Sequence, residues 1–203
     1  MKLNNISRLP DKKKWINNFI KSDKFQQICQ EVDNFDLKKR IFFDEEEVKP
    51  KFKLPITPRE LNLLEKKINI QPFYILDFIS SQSDKVIYDI GCGVNFFKKF
   101  YNLIGIDPIN RKSDIKDKFD SNFVKKHRED FYNAITINAI HFCSLFDIEK
   151  QIYEFISLVK HNGFVYIALN CKRMIEFCNE QEIKNLNTSI EEYIDNIVKK
   201  NTI

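Results

Sequence analysis

Residues 85–95, KVIYDIGCGVN, and residues 103–108, LIGIDP, decide the fold of this 203-residue chain. The first stretch begins with the apolar, β-branched run that is typical of a buried strand, and it ends directly in a glycine turn. The second stretch predicts another strand that ends in an acid, Asp107, and a short helical piece at residues 96–101 separates the two. Together they predict a right-handed βαβ unit that binds a nucleotide.

The few glycines of the chain support this interpretation by their positions. There are only 4, Gly91, Gly93, Gly105 and Gly163, where an average usage of roughly 7% would give about fourteen. Two lie in the turn after the first strand, one lies two residues before Asp107, and Gly163 is expected to start a later strand. Glycine lets the backbone turn tightly and approach a ligand closely. A carboxylate at the end of the second strand can accept hydrogen bonds from two ribose hydroxyls, so Asp107 is the candidate ribose acid.

The residue after the turn separates the classes of nucleotide cofactor. A dinucleotide fingerprint would have a third glycine at position 96, where the pyrophosphate approaches the helix N-terminus, but the bulky Phe96 stands there. No Gly-Lys-Ser/Thr triplet follows the turn, so a P-loop is absent as well. The pattern therefore disfavours NAD, FAD and nucleoside triphosphates.

The same stretch resembles class I S-adenosylmethionine-dependent methyltransferases. The first motif of that family reads acid-x-Gly-x-Gly-x-Gly and is matched by residues 89–93, DIGCG, while residues 105–108, GIDP, match its second acidic position. The resemblance implies a Rossmann-like fold and S-adenosylmethionine as cofactor, with Asp89 orienting the amino acid end of that molecule. Because S-adenosylmethionine has no phosphate, the loop need only admit its methionine and ribose portions.

The match continues downstream of the βαβ unit. Residues 134–142, AITINAIHF, look like the family's fourth strand, and residues 164–170, after an amphipathic helix at about 145–160, look like the fifth. His141, near the end of the fourth strand, is the best-placed general base, or its ring packs at the sheet edge with a satisfied hydrogen bond. Asn138 either contacts the methionine part of the cofactor or caps the strand end. The cofactor-binding residues implied by the resemblance are Asp89, Gly91, Gly93, Asn95, Asp107 and Asn138.

Three departures from the family pattern bear on the fold and on the site. Asn95 replaces the third glycine of the motif, and although asparagine tolerates a positive φ, its side chain is expected to narrow the space beside the cofactor. The third strand is poorly marked, so the acid that meets the adenine stays open among Asp114, Asp117 and Asp120. The family's last two antiparallel strands are not visible, and helices are expected at residues 173–179 and 190–199. The expected fold is therefore α/β, with a Rossmann-like, doubly wound, mainly parallel sheet shortened at its C-terminal end.

The chain ahead of the sheet predicts an N-terminal helical extension, residues 1–80, that acts as a lid or an interaction surface. The S-adenosylmethionine-binding domain is expected at residues 81–203. Apolar residues recur at helical spacing between positions 11 and 32. A capping box of Thr57, Pro58 and Glu60 predicts a further helix, and Pro72 predicts the start of another.

Composition limits the compartment and the partners. The 33 basic and 29 acidic residues are interpreted as largely interspersed, and their net charge of +4 permits a nucleic-acid partner without indicating one. Five cysteines without a CxxC pair fit a reducing, cytoplasmic setting, and the three histidines are not spaced with them as metal ligands. No stretch approaches the roughly 18 apolar residues of a membrane span, so a soluble protein without a membrane partner is expected.

Missing motifs limit the methyl acceptor. The fourth strand lacks the Asn/Asp-Pro-Pro-aromatic motif that holds a flipped base, and the Pro-Cys pair of cytosine C5 methylation is absent. Nor does that strand end in the Asp of the Lys-Asp-Lys-Glu arrangement for ribose methylation. A small-molecule or protein acceptor is therefore favoured.

Two functions are compatible with these features. One is an S-adenosylmethionine-dependent methyltransferase, and the other is a catalytically reduced methyltransferase-like subunit with a binding or structural role. The shortened sheet leaves an edge that must be covered by the N-terminal helices or by another chain, which makes an oligomer or a larger complex an open alternative.

Overall fold

The computed structural model describes residues 9–34, 70–137, 139, 145–169, 192–193 and 195–197. The strands in this part of the chain are β1 (Ile87–Ile90), β2 (Leu103–Ile106), β3 (Phe131–Ile137) and β4 (Val159–Ala168). They form one sheet in the order β2-β1-β3-β4, and every neighbouring pair is parallel. The predicted α/β class with a parallel sheet is confirmed.

Five helices and one 3-10 helix are described with both of their ends, and residues 192–193 and 195–197 are helical as well. The helices are α1 (Lys12–Phe19), α2 (Asp23–Asn34), α3 (Gln71–Gln82), α4 (Ser121–His127) and α5 (Leu145–Ser157), and the 3-10 helix is Phe96–Lys99. Described residues up to Ser81 form one compact unit, and those from Gln82 onward form a second.

The first unit is helical, as the apolar spacing between positions 11 and 32 predicts. The side chain of Asp11 caps α1 by accepting from the Lys14 N–H at 3.0 Å. Within the unit, the indole of Trp15 stacks on Phe19 with 4.4 Å between ring centroids and donates to Asp77 Oδ2 at 3.0 Å. Pro72 is the second residue of α3, as expected near a helix start. The capping box at residues 57–60 lies outside the described residues.

In the second unit, the strands begin and end at slightly different residues than the sequence predicts. β1 starts at Ile87, two residues later than the apolar run suggests, and β2 ends at Ile106, which leaves Asp107 immediately after the strand. β3 starts at Phe131 rather than at residue 134, because the Phe131 ring is buried and stacks on Tyr88 with 4.1 Å between centroids. Six of the seven residues of β3 are buried, as is typical of a parallel strand with both faces covered.

The expectation that Gly163 starts the last strand is wrong. β4 begins at Val159, and the pairing shifts between Phe131 opposite Val159 and Asn133 opposite Phe164, two residues along β3 but five along β4. Gly163 lies in this irregularity, where an added Cβ would stand 2.0 Å from the carbonyl oxygen of Tyr132. The glycine is therefore required by a close backbone approach inside the strand pairing rather than by a turn before it.

One face of the sheet carries an apolar core of the second unit. Its buried members come from the strands, from α4, from α5 and from the helical residues 195–197, and they include Ile90, Ile106, Ala134, Phe123, Ile148, Ile152, Phe155 and Ile197. Because side chains alternate along a strand, Asp89 and Gly105 belong to the opposite face. The helix expected at residues 173–179 lies outside the described residues. Where the third strand was poorly marked, only an isolated parallel bridge joins Ile106 to Ile115.

Candidate functional site

The carboxyl ends of the strands form the edge at which the sequence places the site. In the sheet, β2 lies on one side of β1, and the next strand along the chain, β3, lies on the other side. Such a reversal of strand order opens a crevice beyond the carboxyl ends of the two central strands, here β1 and β3. The loop after β1 and the residues after β2 both lie at this edge.

The loop after β1 has a left-handed backbone at three alternating positions. The φ angles are +77° at Gly91, +52° at Gly93 and +55° at Asn95. The first two explain why glycine is needed there, and the third confirms that asparagine can adopt this conformation in place of the motif's third glycine. The N–H groups of Gly91 and Cys92 both donate to the carbonyl of Ile106, at 2.8 and 3.2 Å, which ties the loop to the end of β2.

Asp107 binds this loop directly. Its Oδ2 accepts from the Gly93 N–H at 3.1 Å, and its Oδ1 accepts from the N–H groups of Ile109 and Asn110 at 2.9 and 2.8 Å. A carboxylate offers about four lone-pair positions, so three are used and one remains for a ligand. The side chain is placed for a ribose hydroxyl, but accepting from two hydroxyls at once requires that one backbone donor be released.

The side chain of Asn95 belongs to a second network beneath the loop. Its Nδ2 donates to the carbonyl of Lys112 and to Asp114 Oδ2, both at 3.0 Å. Asp114 Oδ2 also accepts from the Gly105 N–H at 2.8 Å, and its Oδ1 pairs with Lys98. Because both amide hydrogens are used and the side chain is buried, Asn95 shapes the loop and has no donor left for a ligand.

The structure gives each of the three acids considered for adenine recognition a partner within the chain. Partial burial raises the pKa of Asp114, but hydrogen bonds from Lys98, Gly105 and Asn95 outweigh it and keep the pKa below its usual value. Asp120 is the N-cap of α4 and accepts from the N–H groups of Asn122 and Phe123. Asp117 accepts from the Lys118 N–H and lies 4.0 Å from the ammonium of Lys126.

Asp89 is the most unusual titratable group at this edge. It is 2% exposed, and its Oδ1 has no hydrogen-bond partner among the residues that the structure describes. Burial and the neighbouring charge of Asp107 raise the pKa of Asp89 from 3.8 to about 7. A buried carboxyl with an unsatisfied oxygen is the arrangement that a bound cation would stabilise.

Cys92 lies near the carboxyl groups of Asp89, Asp107 and Asp114 but is not an activated nucleophile. Burial, with the negative charges of Asp89, Asp107 and Asp114 nearby, raises the pKa of its thiol to about 12. The side chain forms no disulfide, and its sulfur makes a weak contact with the carbonyl of Gly93 at 3.7 Å. The thiol therefore stays protonated.

The segment after β3 reaches the same edge. Ala139 is its one described residue between positions 138 and 144, and an added Cβ on Gly91 would stand 2.3 Å from its Cβ. Asn138 and His141, the predicted cofactor contact and general base, lie outside the described residues. Sequence reasoning missed Ala139 and Lys98 as parts of this edge, since neither residue type signals a site by itself.

Two further findings concern what the described residues lack. None of their His, Cys, Asp and Glu side chains group in threes that could hold a metal ion. Among the same residues, no helix has the length and apolar character needed to cross a membrane.

Comparison with known proteins gives no relative: no family model matches the chain, and neither a curated protein nor a solved structure matches it significantly.

Proposed function

We propose that the carboxyl edge of the sheet binds S-adenosylmethionine and that the protein is a methyltransferase. The observation that carries the proposal is the hydrogen bond from the Gly93 N–H to Asp107 Oδ2, at 3.1 Å. It joins the glycine loop of β1 to the acid after β2, fourteen residues further on. These are the two motifs that the family resemblance singles out, and they meet beside the crevice between β1 and β3.

The residues at this edge fit the chemical groups of the cofactor. The Oδ1 of Asp89, which has no partner among the described residues, is suited to the ammonium of the methionine end. The left-handed Gly91 and Gly93 carry no side chains that could block the approach of a ligand to the loop backbone. Asp107 retains one acceptor position for a ribose hydroxyl. S-adenosylmethionine would supply a methyl group on its sulfonium sulfur, and the leaving group would be the neutral thioether, S-adenosylhomocysteine. The protein then needs chiefly to align donor and acceptor and, where the acceptor carries a proton, to remove it.

The sheet supports this proposal as a shortened Rossmann-like sheet. In the order β2-β1-β3-β4, β3 and β4 correspond to the fourth and fifth strands that the resemblance implies. The parallel bridge between Ile106 and Ile115 stands at the side of β2 where a third strand would pair. The predicted acceptor remains a small molecule or a protein, and His141 remains the predicted general base.

One observation favours the second candidate function, a catalytically reduced subunit that keeps the fold for binding or assembly. All three hydrogen bonds that the Asp107 carboxylate accepts come from backbone N–H groups of its own chain. A carboxylate that is engaged in this way stabilises the loop whether or not a cofactor binds. Cofactor binding separates the two functions.

The test is a calorimetric titration of the purified protein with S-adenosylmethionine and S-adenosylhomocysteine. The wild type should bind both, and Asp107→Ala should bind at least tenfold more weakly. Asp84→Ala removes an exposed acid at the opposite end of β1 and should bind like the wild type. Thermal melts of each variant establish that it is folded. No binding by the wild type at millimolar ligand would overturn the proposal, and equal binding by Asp107→Ala would overturn the ribose assignment alone.

The rate of methyl transfer provides the second test once a methyl acceptor has been identified. His141→Ala should leave cofactor affinity nearly unchanged and should slow methyl transfer, because a general base acts on the acceptor rather than on the cofactor. Unchanged turnover would remove His141 from the mechanism. Cofactor binding without transfer to small-molecule and protein acceptors would favour the reduced subunit.

A further inference from the structure

The net charge of the chain is concentrated in the segment that follows the glycine loop. Eight of the 33 basic residues, but only four of the 29 acidic ones, lie between Lys98 and Lys126. This segment therefore carries a charge of +4, equal to that of the whole chain, and the other residues sum to zero. The expectation of interspersed charge fails here. The eight residues, named the basic surface below, are Lys98, Lys99, Arg111, Lys112, Lys116, Lys118, Lys125 and Lys126.

Contacts within the segment link the three elements that carry these residues. Lys98, at the 3-10 helix, pairs with Asp114, and the ammonium of Lys126, on α4, lies 4.0 Å from Asp117. Both acids belong to the connection between β2 and α4, and Lys116 of that connection donates to the carbonyl of Asn110. The 3-10 helix, the connection and α4 are thus linked beside β2, which ends the described sheet on this side.

The four acids of the segment are engaged within the protein. Asp107 and Asp120 accept from backbone N–H groups, Asp114 binds Lys98, and Asp117 accepts from the Lys118 N–H near Lys126. The basic side chains are disposed differently. Four of them are exposed and make no hydrogen bond or ion pair with any described residue: Arg111, Lys112, Lys118 and Lys125. The excess charge of the segment therefore faces solvent.

We propose that the basic surface binds the phosphodiester backbone of a nucleic acid. Its unpaired cations are spread over a connection and a helix, so a single small anion cannot neutralise them, whereas a chain of phosphates can. Seven of the eight basic residues are lysines, a residue type depleted in protein–protein interfaces and common in contacts to phosphate. The sequence composition only permitted such a partner.

The position of the basic surface brings a bound strand close to the candidate cofactor loop. Lys112 accepts the amide hydrogen bond of Asn95 through its carbonyl, and Arg111 follows Asp107 by four residues. The four exposed side chains that the phosphates would contact, those of Arg111, Lys112, Lys118 and Lys125, take no part in the proposed cofactor site. The inference is therefore independent of methyl transfer, and a titration with nucleic acid tests it without S-adenosylmethionine.

The experiment measures fluorescence anisotropy of a labelled 20-nucleotide single-stranded RNA against the full chain between 50 and 300 mM salt. The test variant combines Arg111→Gln, Lys112→Gln, Lys118→Gln and Lys125→Gln. At 100 mM salt we expect its affinity to fall at least tenfold, and its log–log salt slope to be shallower by about 3, roughly 0.7 for each lost phosphate contact. The matched control changes four exposed lysines of the helical unit, Lys12, Lys13, Lys14 and Lys21, to Gln. Since it has the same net charge, its affinity should change less than twofold.

Three results would overturn the proposal. One is the absence of RNA binding by the wild type at 100 µM protein and 50 mM salt. Another is an equal loss of affinity in the test and control variants, which would show that total charge and not this surface matters. The third is cosedimentation of the wild type with phosphatidylserine vesicles without RNA binding, which would assign the surface to a membrane. Thermal melts check that both variants are folded.

Discussion

The side chain of Asn95 fills the space beside Gly105 that a β carbon would need. An added Cβ on Gly105 would stand 2.5 Å from Asn95 Oδ1 and 2.7 Å from its Nδ2. Gly105, the third residue of β2, and Asn95 of the loop therefore depend on each other. The residue that replaces the third motif glycine is accommodated because its neighbour on β2 has no side chain.

This dependence predicts the outcome of a double-mutant cycle. Gly105→Ala should destabilise the protein by about 1–3 kcal/mol, because the buried amide of Asn95 must move and its hydrogen bonds to Lys112 and Asp114 are strained. In the background of Asn95→Gly, the same change should cost less than half as much. Urea unfolding of the four proteins measures the coupling. Additive effects would mean that the two residues do not compete for this space.

The parallel sheet and the glycine loop could be predicted from the sequence because both depend on local signals. The apolar runs predict the strands, and the spacing of Gly91, Gly93 and Asp107 predicts the edge at which they meet. The Asn95 network could not be predicted, because it joins residues of the loop, of β2 and of the following connection through side-chain contacts. The shift at Gly163 was equally hidden, since a histidine, an asparagine and a glycine in a row are as typical of a turn as of a strand irregularity.

Gly163 should be sensitive to substitution although it lies far from the glycine loop in sequence. Gly163→Ala would bring a Cβ to 2.0 Å from the backbone oxygen of Tyr132 and 2.5 Å from Val159 Cγ1. Backbone cannot move as a side-chain end can, so we expect a loss of at least about 2 kcal/mol in the free energy of unfolding. His161→Ala, at an exposed position in the same irregular segment, should change stability by about 0.5 kcal/mol or less. Similar losses in both variants would contradict the close approach.

Two acids between β2 and α4 should differ in how much they contribute to stability. Asp120→Ala removes the N-cap of α4 and should cost about 1 kcal/mol, measured by urea unfolding. Asp117→Ala removes a long, exposed ion pair and should have almost no effect on stability. If Asp117→Ala is the more destabilising change, the assignment of the cap is wrong.

The raised pKa of Asp89 predicts how stability depends on pH. A carboxyl whose pKa rises from 3.8 in the unfolded chain to about 7 in the fold binds its proton more tightly when folded. Its contribution is therefore most favourable below about pH 4 and is lost as the pH rises through 7, by an amount on the order of 4 kcal/mol. Asp89→Asn removes this dependence, so the stability of the variant relative to the wild type should increase between pH 4 and pH 8.

Asp114→Asn provides the control of opposite sign. The pKa of Asp114 is lowered in the fold, so its contribution is present at neutral pH and is lost as the pH falls below its usual value. Asp114→Asn should therefore be equally destabilising at pH 5 and pH 8 and less destabilising near pH 3, whereas the stability of Asp89→Asn relative to the wild type should rise between pH 5 and pH 8. Urea unfolding at pH 3, pH 5 and pH 8 distinguishes the two. Parallel pH profiles for the two variants would contradict the assigned environments.

Asp89 also links cofactor affinity to pH if its Oδ1 accepts a hydrogen bond from the ammonium of the methionine end. An ammonium stabilises the carboxylate, so binding should displace the proton from Asp89, and affinity for S-adenosylhomocysteine should rise from pH 5.5 to pH 7. At pH 6.5, below a pKa of about 7, calorimetry in phosphate and in Tris should detect release of roughly half a proton or more per ligand. Asp89→Asn should bind more weakly and release none, whereas Asp84→Ala should match the wild type. Ligand binding by the wild type without proton release would show that Asp89 does not contact the charged end of the cofactor.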